Sequence, residues 1–152
     1  MNALETLTAH REIADLIARY AITYDDHDWT AFAQLWTEDA VFVVNGAAFE
    51  GLPVMLDFLT SCLPDDYYGK HICSPPLIEL GADGTTATAQ TDVLWIAQNF
   101  ENSIIGRYDD AFVNRDGRWL FTRREETSIP HKAGPPPYSE TVVAVSGPNM
   151  RA

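Results

Sequence analysis

The groups in this sequence best suited to moving protons are a histidine in a strand-like segment, His71, and the polar cluster Asp25-Asp26-His27-Asp28. Imidazole titrates near neutral pH, so His71 can take a proton and return it. A carboxylate bonded to one ring nitrogen would fix the tautomer and stabilise the imidazolium. An aspartate plays that role in a catalytic triad, here with no serine nucleophile. Sequence does not show whether a carboxylate touches His71, and the alternative is a strand histidine bonded to backbone. Among the aspartates, Asp28 directly precedes Trp29 and a new apolar pattern, so it is the expected helix N-cap. Asp25 follows Tyr24 at the end of the first helix's apolar stripe, which makes it the better pocket residue. His27 is expected to be solvated in the turn.

Other polar groups have two readings. Tyr108 can donate its hydroxyl to a carbonyl or leaving oxygen, or simply fill the core. Asp92 shares a strand face with Leu94 and Ile96. It is either a cavity carboxylate or, since Asp is seldom buried, half of a surface pair. Along the last strand Leu120, Thr122 and Arg124 share one face, and Trp119, Phe121 and Arg123 the other. One arginine therefore points inward unless a bulge intervenes, and Arg124 is favoured. Its alternative is a salt bridge to a neighbouring carboxylate. Trp29, Trp36, Trp95, Phe42 and Tyr20 suit either a hydrophobic pocket or an aromatic core.

Composition narrows the classes. The formal charge is −12, from 10 basic and 22 acidic residues. Such a surface repels nucleic acid and anionic lipid, so neither nucleic acid nor membrane is an expected partner. The histidines His10, His27, His71 and His131 lack ligand spacing, and Cys62 and Cys73 form no Cys-x-x-Cys pair. No metal and no cofactor is expected. The segment from Met1 to Arg11 has no apolar signal core and no run approaches membrane-span length, so the expected location is cytoplasmic.

The elements that must position these groups read as follows. Ile13, Leu16, Ile17, Tyr20, Ala21 and Tyr24 recur at helical spacing and predict a helix from Thr8 to Tyr24, with Thr8 as its cap. A second helix starts at Asp28, with Trp29, Phe32, Ala33, Leu35 and Trp36 on its apolar face. Ala40 to Val44 is a strand, Asn45-Gly46 a hairpin turn, and Ala47 to Glu50 the return. Gly51-Leu52-Pro53 opens a third helix with Val54, Leu56, Phe58 and Leu59 inward. Strands follow near Lys70 to Leu80, broken or bulged at Pro75-Pro76, then at Thr85 to Gln98, Ser103 to Val113 and Arg118 to Glu126. Helices followed by an antiparallel meander predict an α+β domain. The whole chain, 1–152, reads as one domain with 128–152 as an extended tail, because Pro130 to Pro137 is too rich in Pro and Gly to continue the sheet. That tail is a lid, a subunit-binding arm or loose chain.

With these residues in place, the chain resembles the SnoaL-like group of the NTF2-like superfamily, including scytalone dehydratase-like, bile-acid dehydratase and dehydrochlorinase-type members. The resemblance rests on Arg19-Tyr20-Ala21, Asp25-x-x-Asp28-Trp29 and Leu35-Trp36-Thr37-Glu38-Asp39-Ala40, then Gly51 and Lys70-His71. It continues through Gly106-Arg107-Tyr108-Asp109-Asp110 and Asp116-Gly117-Arg118-Trp119 to Arg123-Arg124, and so covers about residues 8 to 127. It implies an NTF2-like cone, a strongly curved antiparallel or mixed sheet packed against three N-terminal helices around a pocket. It also implies a cofactor-independent lyase, dehydratase-like, or isomerase acting on a small hydrophobic molecule of cyclic, polyketide, steroid or aromatic type. Asp25 matches the aspartate that orients the base and His71 the base itself. Tyr24 matches the preceding tyrosine and Arg124 the last-strand arginine. The second histidine of the scytalone dehydratase-like pocket has no clear match. Dimers or trimers are implied, and the rival function is a non-catalytic binding or structural subunit, as in the small subunits of ring-hydroxylating dioxygenases.

Overall fold

The computed structural model describes residues 1–100 and 102–130. The expected tail therefore lies, beyond residue 130, outside the described residues. The first helix, α1 (Ala3–Asp25), begins earlier than the periodicity predicts. Its cap is Asn2 rather than Thr8. Asn2 Oδ1 accepts from the Glu5 N–H at 2.9 Å, and Glu5 Oε2 accepts from the Asn2 N–H at 2.8 Å, a capping box. The added turn carries no core, since Leu4 and Leu7 are exposed, so the apolar stripe gave no sign of it. Ala9, Ile13, Leu16, Ile17 and Tyr20 are buried along the predicted face.

Asp28 caps α2 (Trp29–Ala33), accepting from the Ala31 N–H at 2.9 Å. This helix is short. Leu35 and Trp36 are buried as expected, but Trp36 opens a strand instead of extending the helix, because its backbone pairs with Phe121. Strand β1 (Trp36–Val44) turns through Asn45-Gly46, both at positive φ, into β2 (Ala47–Glu50). Helix α3 (Leu52–Cys62) follows Gly51, whose φ of 85° suits a residue without Cβ. Met55 and Leu59 form its buried line, while Val54, predicted inward, is exposed.

Pro75-Pro76 separates β3 (Gly69–Cys73) from β4 (Leu77–Leu80), and both pair with β5 (Thr86–Ala97). Proline cannot donate to a ladder, so the one predicted strand becomes two. Strands β6 (Ser103–Arg115) and β7 (Arg118–Ser128) complete the meander. The strand order is β2-β1-β7-β6-β5-β3, with β4 also on β5. All pairs are antiparallel except β1 with β7.

This topology corrects the expected strongly curved cone. Closing a sheet requires every strand to be bonded on both sides. Among the described residues β2 pairs only with β1, and β3 and β4 only with β5, leaving two open edges. The architecture is α+β, an open mixed sheet with α1 packed across β3, β4 and β7 and α3 across β1 and β2. Alternation along β5 marks the covered face: Ala87, Ala89, Thr91, Val93 and Trp95 are buried. Ala87, Ala89 and Val93 join Tyr20, Phe32, Phe42, Phe112 and Phe121 in the main core. Trp95 sits in a smaller cluster with Leu63 and Ala97. Each large apolar side chain contributes about 1.5–3 kcal/mol by leaving water. Among the described residues no helix is long and apolar enough to cross a membrane.

Candidate active site

The end of α1 and the start of β3 bring Asp25 and His71 together. Asp25 is the last residue of the helix, and the chain reverses immediately after it through His27 at φ 55°. Asp25 Oδ1 lies 2.6 Å from His71 Nδ1, and Oδ2 accepts from the His71 backbone N–H at 2.9 Å. Both side chains are only 4% exposed. One carboxylate thus grips the backbone and the ring of the same residue, which fixes the plane of the imidazole. With Nδ1–H donating to Asp25, Nε2 carries the lone pair and accepts from the Tyr108 hydroxyl at 3.1 Å. Outside the pair, Lys70 reaches Asp26 at 3.1 Å and Asp25 at 3.9 Å.

The His71 ring is enclosed by phenols. Tyr24 and Tyr20 meet it edge-on, with ring centroids at 5.2 and 5.8 Å. Burial pushes the hydroxyls of Tyr20, Tyr24 and Tyr108 above the ordinary phenol range. For Tyr20 the Arg124 charge opposes that rise; for Tyr24 and Tyr108 the neighbouring Tyr20 adds to it. All three are therefore neutral hydrogen-bond donors at neutral pH. Burial also raises the thiols of Cys62 and Cys73, which stay protonated.

His71, Tyr20, Tyr24 and Tyr108 form the polar side of a cavity of about 190 Å³, walled on the other side by Phe42, Phe58, Leu59, Val93, Trp95 and Ile104. The volume lies below the roughly 300–1,000 Å³ of drug-sized ligand pockets, so it fits a compact ring system. Trp95 reaches the cavity by lying flat over Gly69 on β3, where any Cβ would overlap its indole.

The remaining candidates fall elsewhere. Arg124 is fully buried but does not line the cavity. Its Nε and Nη2 donate to the two oxygens of Asp110, each at 2.7 Å, and its guanidinium carbon lies 3.9 Å from the ring centroids of both Tyr20 and Tyr108. Burial opposes its charge, but Asp110 outweighs that and holds its pKa above the usual arginine value. It braces the two tyrosines from behind. Parity is resolved by a bulge: Ala111 faces Arg123 and Phe112 faces Phe121, so Thr122 is the extra residue and Phe121 and Arg124 both turn inward. Asp92 is on the outer face, paired with Arg107 at 2.8 Å. His27 is not solvated as expected. It is half-buried and stacked on Tyr68 with ring centroids 4.5 Å apart. Of the five aromatic candidates, Tyr20, Phe42 and Trp95 line the cavity, while Trp29 and Trp36 pack around the core.

Sequence reasoning passed over Glu126, which also lines the cavity. Its signal was present: once Arg124 faces inward, the residue two positions on does too. Among the described residues no group of three or more His, Cys, Asp or Glu side chains is placed to hold a metal.

Comparison with known proteins places this architecture. The SnoaL-like domain family model matches residues 5–125. No curated protein matches the chain. Among solved structures, a variant of a protein of unknown function from Mycobacterium tuberculosis superposes with a TM-score of 0.75 at 22% identity, covering 86% of this chain and 78% of that one. An NTF2-like protein with a cystatin-like fold from Novosphingobium aromaticivorans gives 0.73 at 25% identity, covering 86% and 88%. A type 2 hexachlorocyclohexane dehydrochlorinase, LinA, gives 0.70 at 22% identity, covering 90% and 99%. These likenesses share the fold, and with the family model spanning most of its length this chain belongs to the SnoaL-like domain family of the NTF2-like superfamily.

Proposed function

We propose that this protein is a cofactor-independent lyase of dehydratase type, or an isomerase, in which His71 removes a proton from carbon next to a carbonyl. The observation that carries the reading is the 2.6 Å contact of Asp25 with His71 Nδ1, which leaves Nε2 as the free base at the cavity. A substrate entering the cavity takes the Tyr108 hydroxyl away from Nε2. The hydroxyl then donates to the substrate oxygen as enolate charge develops. Nε2 takes the C–H proton, and Asp25 balances the imidazolium in its low-dielectric setting. Returning that proton to a departing hydroxide releases water and leaves a double bond; returning it to a different carbon isomerises the substrate. Tyr24 closes the other side of the ring as a second neutral donor, and Arg124 holds Tyr20 and Tyr108 in place.

Known relatives with this fold include a hexachlorocyclohexane dehydrochlorinase, an elimination chemistry consistent with the reading. The substrate is small and largely apolar, as the cavity walls require. A β-hydroxy tetralone tests it, because loss of water yields naphthol. Wild-type protein should release naphthol, and His71→Ala should lose about 10²–10⁴ of kcat/KM while its circular dichroism is unchanged. Equal rates in the two proteins would rule out His71 as the base.

Self-association, as a dimer or trimer, is supported by the sheet face that no helix among the described residues covers. There Ile72, Leu94 and Ile105 lie in register across three strands, and both isoleucines are exposed. Sedimentation equilibrium gives the subunit number, and a monomer at micromolar concentration would contradict it.

A further inference from the structure

The cavity has a second polar end that the proton transfer does not use. Glu126 on β7 is in register with Val44 of β1 on one side and Tyr108 of β6 on the other, and all three line the cavity. Its Oε1 accepts from the Ser128 hydroxyl at 3.1 Å. Among the described residues no Lys, Arg or His side chain forms an ion pair with it. The nearest arginine in sequence, Arg124, is taken up by Asp110. Among the described residues no lysine or arginine lines the cavity. The Glu126 charge is felt around the chamber, where it pushes the hydroxyls of Tyr20, Tyr24 and Tyr108 and the Cys62 thiol further toward their protonated forms.

A carboxylate against apolar walls needs hydrogen-bond donors to replace water. Glu126 is half-buried; Ser128 supplies one donor, and a molecule that fills the cavity and displaces water from the carboxylate must supply the next. An entering anion would meet that charge in a medium that screens it poorly. An entering ammonium would be drawn to the charge, but it must bring all three N–H donors out of water between apolar walls, and stripping an ion of its hydration costs far more than stripping a hydroxyl. A single hydroxyl matches the vacancy in hydrogen bonding. We infer that Glu126 determines specificity: it accepts a hydrogen bond from an uncharged hydroxyl on the bound ring and turns carboxylate-bearing molecules away. This inference rests on the cavity being the substrate site proposed above and names the class that enters it, neutral hydroxylated one- or two-ring compounds.

Calorimetric titration of the full chain with naphthalene, naphthol, naphthoate and naphthylmethylammonium at neutral pH tests it, in wild type, Glu126→Gln and Glu126→Leu. Wild type should bind naphthol about tenfold or more tightly than the other three. Glu126→Gln, which keeps an acceptor and removes the charge, should gain about tenfold for naphthoate while holding naphthol. Glu126→Leu should bind naphthalene and naphthol alike; if it fails to fold by circular dichroism, the naphthoate gain in Glu126→Gln decides. The same ranking in every folded protein, preference for the ammonium, or no naphthol binding by wild type overturns the inference. Because binding alone is read, failure of wild type to dehydrate a β-hydroxy tetralone would remove the proton-transfer reading and leave this ranking intact.

Discussion

Asp25 holds His71 at two points, Oδ1 on the ring Nδ1 at 2.6 Å and Oδ2 on the backbone N–H at 2.9 Å. A bond to the ring alone would still let the imidazole swing with its strand. The double grip ties the end of α1 to the first residues of β3, so the base is aimed by the same contact that docks helix on sheet.

Asp25→Asn is isosteric and should keep that docking. It removes the charge that balances the imidazolium, and its amide N–H competes for Nδ1 and can reverse the tautomer. A loss of about 10²–10⁴ in kcat/KM is expected with little change in KM. Nitrogen-15 NMR of the ring should show the proton moved from Nδ1 to Nε2; an unaltered tautomer with full activity would contradict the orienting role.

The Arg124–Asp110 pair is buried at both ends, with both side chains at 0% exposure. Arg124→Met leaves Asp110 uncompensated and should cost about 3–5 kcal/mol in urea unfolding. Joining it with Asp110→Leu should recover most of the loss, because an apolar pair of similar volume avoids the desolvation. A double variant no better than the single one would show that bracing Tyr20 and Tyr108, rather than neutralising Asp110, is the larger contribution.

Gly69→Ala places a methyl group inside the Trp95 ring. The indole must move, at about 1–3 kcal/mol for overpacking. Thermal unfolding should occur at lower temperature and the tryptophan emission should shift. An unchanged melting curve would mean that Trp95 has room to leave the cavity wall.

Tyr20, Tyr24 and Tyr108 all have raised folded-state values relative to the ordinary phenol value of 10.0. The folded state therefore holds their protons after the unfolded chain has begun to release them. Their contribution is complete below about pH 10 and is lost progressively as pH rises above it toward the folded values. Urea unfolding followed from pH 8 to pH 11 should show a stability that falls steeply above about pH 10, and Tyr108→Phe should make that fall shallower. A flat profile would mean that the phenols are solvated.

What was legible in the sequence was what local chemistry determines. Asn45-Gly46 required positive φ, Asp28 stood before Trp29, and the alternation Ala87, Ala89, Thr91, Val93, Trp95 named the inner face of β5. Features set by partners far along the chain were not. Trp36 reads as helical until Phe121 is known to lie beside it. The open edges at β2 and β3 depend on which strands fail to meet, and the strongly curved cone implied by the family resemblance does not form. Parity along β7 was broken by one extra residue, Thr122; an inward Arg124 was favoured from the sequence and Glu126 follows two positions on, but that Phe121 shares their face depends on the β6 register. The aspartate and histidine were nameable, but their contact spans two elements and is set by how the end of α1 docks on β3.

The most direct test of the account is hydrogen exchange at carbon, which needs no leaving group. Wild-type protein incubated in heavy water with α-tetralone should place deuterium beside the carbonyl, followed by proton NMR, about 10²-fold or more faster than His71→Ala. Exchange at the same rate in wild type, His71→Ala and buffer alone would contradict the claim that His71 is a carbon base.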